Sequence, residues 1–276
     1  MSDTTMDRGD DSPPYVRMLE AIEISRRGQR NSTRSNVLKE NSVEVYINDI
    51  KTMRITCTPS NLCELAVGRL FTEGFISDIS SVKSLELSCD HQSVWVLLNR
   101  MDLPNKYSSV EEVPTTGGVG EVISRYTFSN EPFEPYPFAE FDAETVFELC
   151  DSFFCDTPIH SLTSGTHSCR LAVDGKLVFI SEDIGRHNAL DKVIGYALLN
   201  SIDFSRVTVF ISGRIPVDMA AKAIKAKIAV LATKAVPTDQ AVKLAREFGL
   251  TLICLANPHR LLVFSGKDLS ETDSHL

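Results

Sequence analysis

The sequence predicts a layered α/β protein with a smaller α+β part ahead of it, and three observations carry that expectation. Apolar runs at 207–211, 228–231 and 252–255 alternate with amphipathic stretches at roughly 215–226 and 238–248, the strand and helix alternation of a largely parallel sheet. Upstream, residues 43–47 and 53–57 alternate apolar and polar side chains around Asn48-Asp49, which reads as a hairpin. Between the two parts, residues 101–141 show little periodicity and much glycine and proline, so the chain divides there.

Taken in order, residues 1–38 are rich in Ser, Thr, Asp, Arg and Asn, with a short apolar patch at 16–24, and are expected to form a disordered arm. Residues 39–141 form the N-terminal α+β part and its connecting loop. After the hairpin, Thr58 is placed to cap a helix with Pro59 in its first turn; Leu62, Leu65, Ala66 and Leu70 recur at helical spacing and Gly74 ends it. Strands at 82–87 and 94–98 complete this part. Residues 142–266 form the α/β domain: a helix at 143–153, a hairpin turning at Asp174-Gly175, the central helix, and the alternating elements above, with 267–276 as a tail.

Composition narrows the class. Of 276 residues 43% are hydrophobic, ample for a core, and 28 basic against 37 acidic residues give a net charge of −9. That balance argues against a general nucleic-acid or anionic-membrane surface and requires any anion to be held locally. Seven cysteines without a regular framework, and no charged-then-apolar leader, point to a reducing cytoplasm. No apolar stretch is long enough to span a membrane. A Walker loop, a Gly-x-Ser-x-Gly elbow, a Cys-x-x-Cys pair and the His-x-Glu of zinc deaminases are absent from the sequence, and no metal site is expected.

The stretch at 181–192 stands out, because an apolar strand breaks into Glu182-Asp-Ile-Gly-Arg-His187 before an amphipathic run resumes. A strand feeding a helix through a polar turn presents open backbone N–H groups and the positive helix end, a natural anion site. Asp183 is placed to cap, Gly185 permits close backbone approach, and Arg186 and His187 add positive charge; Asp191, four residues on, would orient the His187 imidazole. A capped helix with a surface ion pair is the other reading of these residues. Further polar clusters follow the apolar strands at Ser212-Gly213-Arg214, Thr233-Lys234 and Asn257-Pro258-His259-Arg260. They would share the carboxyl edge where open sheets bind ligands. Arg186, Arg214, Lys234 and Arg260 would then line a crevice suited to a phosphorylated, nucleotide-like guest.

These residues carry a resemblance. Gly165-Thr-His167, Glu182-Asp-Ile-Gly-Arg-His-Asn-Ala-Leu-Asp-Lys192, Ser212-Gly-Arg214 and Leu255-Ala-Asn-Pro-His-Arg260 resemble the successive motifs of the formate dehydrogenase accessory (FdhD/NarQ) family. Cys57-Thr-Pro59, Glu64-Leu-Ala-Val-Gly68 and Glu73-Gly-Phe-Ile76 fall in the same order, so the resemblance covers about residues 40–266. It implies a cytidine-deaminase-like three-layer α/β/α domain with a smaller N-terminal α+β part, a homodimer, and sulfur delivery to molybdenum bis(molybdopterin guanine dinucleotide). The implied partners are a cysteine desulfurase and a molybdenum-dependent formate dehydrogenase or related molybdoenzyme. By the same resemblance Leu255, Ala256, Asn257, Pro258, His259 and Arg260 align with the family's cofactor-binding segment; together with His167, Asp183, Gly185, Arg186, His187, Ser212, Gly213 and Arg214 of the motifs above they make the expected cofactor or guanine-nucleotide site.

The chain departs from the family where sulfur is handled. The family's Cys-Gly-Val-Cys-Gly loop corresponds here to Gly117-Gly118-Val119-Gly120-Glu121, so both sulfur positions are glycine. A persulfide relay needs a thiolate. Three accounts follow: the chain binds the cofactor without moving sulfur, another cysteine has taken over, or the scaffold has diverged to another role. Among substitutes, Cys169 lies two residues after His167, where an imidazolium could lower its pKa, and Cys155 follows the 143–153 helix; neither is assigned. The two functional hypotheses are a sulfurtransferase-like accessory enzyme and a non-catalytic cofactor carrier or chaperone.

Overall fold

A computed structural model describes residues 13, 15–99, 111–113, 135–153, 157–267 and 269. Its first element is a two-stranded antiparallel ribbon, β1 (Val16–Ile24) and β2 (Arg30–Leu38). This corrects the expectation of a disordered arm throughout 1–38. Gly28 takes φ +82° in the tip, where its N–H donates to the Ser25 carbonyl and Ser25 N–H to that of Gln29. Backbone pairing therefore orders a stretch whose polar composition offered little to bury.

The N-terminal sheet has the order β5-β6-β3-β4-β7, from β3 (Asn41–Ile47), β4 (Ile50–Cys57), β5 (Val82–Leu87), β6 (Ser93–Leu98) and β7 (Glu111–Val113). Asn48 and Asp49 both take positive φ in the two-residue turn, the geometry such hairpins require. One face, carrying Val43, Val45, Ile47, Met53, Ile55, Val94 and Val96, is buried in the core with helix α1 (Leu62–Thr72). Thr58 does not cap α1, which begins after Asn61 with no side-chain cap. Its hydroxyl accepts instead from the Ile184 N–H at 3.0 Å, and its own N–H donates to Asp183 at 3.0 Å.

The second sheet has the order β13-β12-β11-β10-β8-β9, built from β8 (His167–Val173), β9 (Lys176–Asp183), β10 (Val207–Ile211), β11 (Val230–Thr233), β12 (Thr251–Asn257) and β13 (Arg260–Ser265). It is mixed rather than largely parallel, because β10-β11-β12 run parallel while β8, β9 and β13 join antiparallel. The reason is local. Asp174-Gly175 and Pro258-His259 each turn the chain straight back, and only longer helical crossovers return a strand in parallel. Helices α4 (Arg186–Leu199), α5 (Val217–Lys225) and α6 (Asp239–Phe248) contribute to the large core on one face. On the other face α2 (Ala143–Ser152) packs with Ala172, Phe210, Ala232 and Ile253. The short α3 (Pro158–Thr163) starts where Glu182 accepts from the Ile159 and His160 N–H groups at 3.0 and 2.8 Å.

One continuous apolar cluster joins the two sheets, and α1 against α4 is its seam. A Cβ on Gly68 would stand 1.8 Å from the Asp191 carbonyl oxygen, and one on Gly195 1.8 Å from that of Glu64. The two helices approach backbone to backbone, and any side chain at either position would drive them apart.

Candidate functional site

The topology brings the sequence clusters to one sheet edge. The C-terminal ends of β9, β10, β11 and β12 and the N-terminal end of β8 all lie there, which places His167, Asp183, Ser212-Arg214, Lys234 and Asn257-Arg260 in a row. The row divides into a saturated half and an open half.

The saturated half is buried. Asp183 is fully enclosed and accepts from Thr58 N–H (3.0 Å), Gly185 N–H (2.9 Å) and Asn188 Nδ2 (2.9 Å), while Lys192 Nζ stands 2.7 Å away. Lys192 also donates to the carbonyls of Thr58 and Glu182. Every lone-pair direction of the Asp183 carboxylate thus has a partner, and it fastens the N-terminal part to the start of α4 rather than meeting a ligand. Asp191 does not orient His187. It takes two hydrogen bonds from Lys222 Nζ, both 2.7 Å, and one from Thr72 Oγ1 at 3.0 Å, and pairs with Arg69 Nε at 3.0 Å. His187 instead lies with Nε2 3.2 Å from Asp218 Oδ2, close but outside hydrogen-bond alignment. Burial, then the nearby Lys222 and Arg186 charges, push its pKa down to about 2, so the ring is neutral. Burial raises the Asp218 carboxyl. His187, 1% exposed, is therefore a structural residue and not the switchable surface charge expected.

The open half lies around Gly213. A Cβ there would stand 3.3 Å from Arg186 Cδ and 3.4 Å from His167 Nδ1, so glycine lets the β10 end, the first residue of α4 and the first residue of β8 converge. The Ser212 hydroxyl accepts from the Ser168 N–H at 3.0 Å and shares a hydrogen bond with His167 Nδ1 at 3.1 Å. Burial, then Arg186 and His160, lower the His167 pKa, which favours the neutral ring. Gly185 caps α4 without a side-chain acceptor, and the Arg186 Nε is buried with no hydrogen-bond partner. A helix N-terminus without a side-chain cap beside a guanidinium whose Nε has no partner fits an anion held at this point. Arg214 is exposed beside it.

The other expected cations are placed differently. Lys234 Nζ lies 3.8 Å from the centroid of the Phe153 ring, which also faces the Arg170 guanidinium at 4.7 Å, so it is drawn toward the α2 face. Asn257 to Arg260 form the turn of an edge hairpin, where the Asn257 side-chain oxygen accepts from the His259 and Arg260 N–H groups. Two strand spacings separate β12 from β10, so this turn stands roughly 10 Å from Ser212. Leu255 takes φ +52°, a strained value for a leucine, and its N–H is held by the Ala235 carbonyl at 2.9 Å. Pro258, His259 and Arg260 are exposed, and Ala256 is buried with its carbonyl 3.6 Å from the Cys150 sulfur.

The thiols give no relay among the described residues. Cys169 is fully buried in the core, and desolvation raises its pKa, the reverse of the lowering expected from a neighbouring imidazolium. Burial likewise pushes Cys57 and Cys254 up to about 12 and raises Cys63 and Cys150. Cys89 is exposed, in the turn between β5 and β6. Gly117, Gly120 and Cys155 lie outside the described residues. Sequence reasoning also missed Arg69, Asp218 and Lys222; the i,i+4 spacing of the last two on α5 was the available signal.

Comparisons with known proteins agree with this construction. The chain is 30% identical over 239 residues to the sulfur carrier protein FdhD of Wolinella succinogenes, covering 83% of this chain and 80% of that one. It is 27% identical over 239 residues to the protein of the same name from Listeria monocytogenes, covering 84% and 90%. A crystal structure of a candidate formate dehydrogenase accessory protein from Desulfotalea psychrophila superposes with a TM-score of 0.73 at 23% identity, over 92% of this chain and 99% of that one, which establishes the shared fold. The family model described as FdhD/NarQ matches residues 38–270, nearly the whole of the two-sheet body, and the chain belongs to the FdhD/NarQ family.

Proposed function

We propose that this chain is an accessory protein for a formate dehydrogenase or related molybdoenzyme that holds molybdenum bis(molybdopterin guanine dinucleotide) at the sheet edge and supports its sulfuration. The observation that carries the reading is the open half of the edge: a buried, unpartnered Arg186 Nε at an uncapped helix N-terminus, beside the Gly213 cradle. A guanine dinucleotide is long and multiply charged, which suits one phosphate at Arg186 and a contact roughly 10 Å away at the Asn257–Arg260 turn. His167, its ring held at Nδ1 by Ser212, would fix the orientation of the phosphate by a hydrogen bond from Nε2. The relatives named as sulfur carriers support the role in sulfur delivery.

A second reading, that the chain carries the cofactor without relaying sulfur, is favoured by a specific observation. The sequence has no Cys-x-x-Cys, and five of the six described cysteines have pKa values raised by burial. One experiment separates the two. The purified chain is incubated with a cysteine desulfurase and cysteine, and added sulfur is sought by intact mass and mapped; GDP binding is measured by calorimetry on the same preparation. Added sulfur on a mapped cysteine establishes the relay. GDP binding without added sulfur establishes the carrier, and failure of both rejects the site.

A further inference from the structure

The outer face of the N-terminal sheet carries the chain's single tryptophan. Trp95 on β6 lies between Tyr46 on β3 and Glu86 on β5, its register partners on either side. Its ring stacks on Tyr46, with centroids 4.0 Å apart and planes 11° from parallel, so the opposite indole face turns toward β5. The support is stiff: the Tyr46 hydroxyl donates to Glu44 at 2.9 Å, and Glu44 also takes Lys51 and Arg54, which engages the two cations on that side. Beside the open indole face is a hollow of about 240 Å³ lined by Trp95, Leu97, Ser84, Glu86, Asn48 and Asp49. The turn at its end is fixed to β6, because Asn48 N–H donates to the Val96 carbonyl at 3.0 Å and the Asn48 side-chain oxygen accepts from Leu98 N–H at 2.8 Å.

The lining says what fits. An indole face is the negative side of the ring quadrupole and attracts a cation. Glu86 and Asp49 stand exposed at the rim, and neither carboxylate has an ion pair or a hydrogen bond among the described residues. Lys83, exposed in the β5 bulge, is the one basic residue on β5, and β6 has none. Two carboxylates and an aromatic face select a guanidinium or ammonium group. The hollow is smaller than the roughly 300–1,000 Å³ of an enclosed small-molecule site, and it opens along the sheet, where Trp95 and Leu97 are 39% and 37% exposed. A tryptophan beside an aliphatic side chain, rimmed by polar groups, is the anatomy of an anchor between proteins. Because β5 is an edge strand, an extended segment of a partner also has open backbone groups to lie along.

We infer that this hollow docks an extended basic segment of a partner protein, with an arginine or lysine side chain on the open face of Trp95 and its charge facing Glu86 and Asp49. The net charge of −9 steers such a segment toward the chain. The contact is independent of the cofactor reading above. The hollow lies at the start of β4, whereas Thr58, which meets Asp183, follows its end, roughly 20 Å away along the strand. A docked partner and an anion at the sheet edge are therefore compatible.

Trp95 reports on its own site, because no other tryptophan contributes to the emission. The full chain is titrated with a short peptide alternating arginine and threonine while its fluorescence is followed. The emission should shift and saturate below millimolar peptide. The same peptide with citrulline in place of arginine should bind at least about tenfold more weakly. Glu86→Gln with Asp49→Asn, both at exposed positions, should weaken the arginine peptide at least about tenfold with an unchanged circular dichroism spectrum. In Trp95→Leu, anisotropy of a dye-labelled peptide should show a loss of similar size. Emission unchanged through the millimolar range overturns the proposal, as does an equal response in the double variant or to the citrulline peptide. Free arginine amide that saturates at the same concentration as the peptide would also overturn it, in favour of a small-cation site.

Discussion

Two halves of one sheet edge, both drawn from the Glu182–Lys192 motif, have opposite fates. In one, Glu182, Asp183, Asn188, Asp191 and Lys192 are buried with their polar atoms engaged. In the other, Gly185 leaves a helix start uncapped and Arg186 keeps a buried nitrogen without a partner. The difference teaches that a polar motif is no single site: its saturated members hold the N-terminal part against α4, and that rigidity is what keeps the unsaturated ones poised.

The sharpest way to break the contrast is Asp191→Ala, which strands Lys222 as a buried cation without its bonded carboxylate and leaves Arg69 with Glu73 as its remaining carboxylate partner. Unfolding in urea should show a loss of about 3–5 kcal/mol. A loss below ~1 kcal/mol would mean that the network is not structural.

The His187 ring supplies a pH test of the same half. Its native pKa of about 2 lies far below the ordinary 6.5, so the unfolded chain takes up a proton as pH falls below about 6.5 while the native one does not. Stability should therefore fall with pH across that window. Asp218, raised above its ordinary value of 3.8, works against this near the acid end, because its native form binds a proton first and loses that advantage as pH rises. In His187→Gln the urea midpoint should vary less between pH 6.5 and 4 than in the wild type; an identical acid limb would place the titrating group elsewhere.

Arg186→Ala probes the open half. GDP affinity should drop by about 1.5–3 kcal/mol, the worth of a charge-assisted bond, and the urea midpoint should barely move. A variant destabilised as strongly as Asp191→Ala would erase the distinction between the halves. The smallest effect is expected at Arg260, which is exposed at the hairpin turn: Arg260→Ala should cost GDP less than about 1 kcal/mol. An effect equal to that of Arg186→Ala would move the centre of the site outward along β12.

Much of this was legible in the chain itself. The period-two runs at β3 and β4, the Asn48-Asp49 and Asp174-Gly175 turns, and the strand and helix alternation after residue 200 follow from local rules, because alternation, positive-φ turn residues and amphipathic spacing act over a few residues. The placement of Arg186 and Ser212-Gly213 at one edge followed from polar residues placed after apolar strands, whereas His167, at the start of β8, reaches them through the antiparallel pairing of β8 with β10. Tertiary structure alone decided which of the polar residues would be consumed. Asp183 meets Thr58 across 125 residues and Asp191 meets Lys222 across 31, contacts that no spacing rule reports. The same holds for Cys169, whose two-residue distance from His167 suggested an activated thiol until burial on both sides of the strand raised its pKa. Sequence determines which groups a segment can offer. Burial and long-range partners determine which are spent in holding the fold and which remain for a ligand, because desolvation and pairing depend on neighbours that only the folded chain brings together.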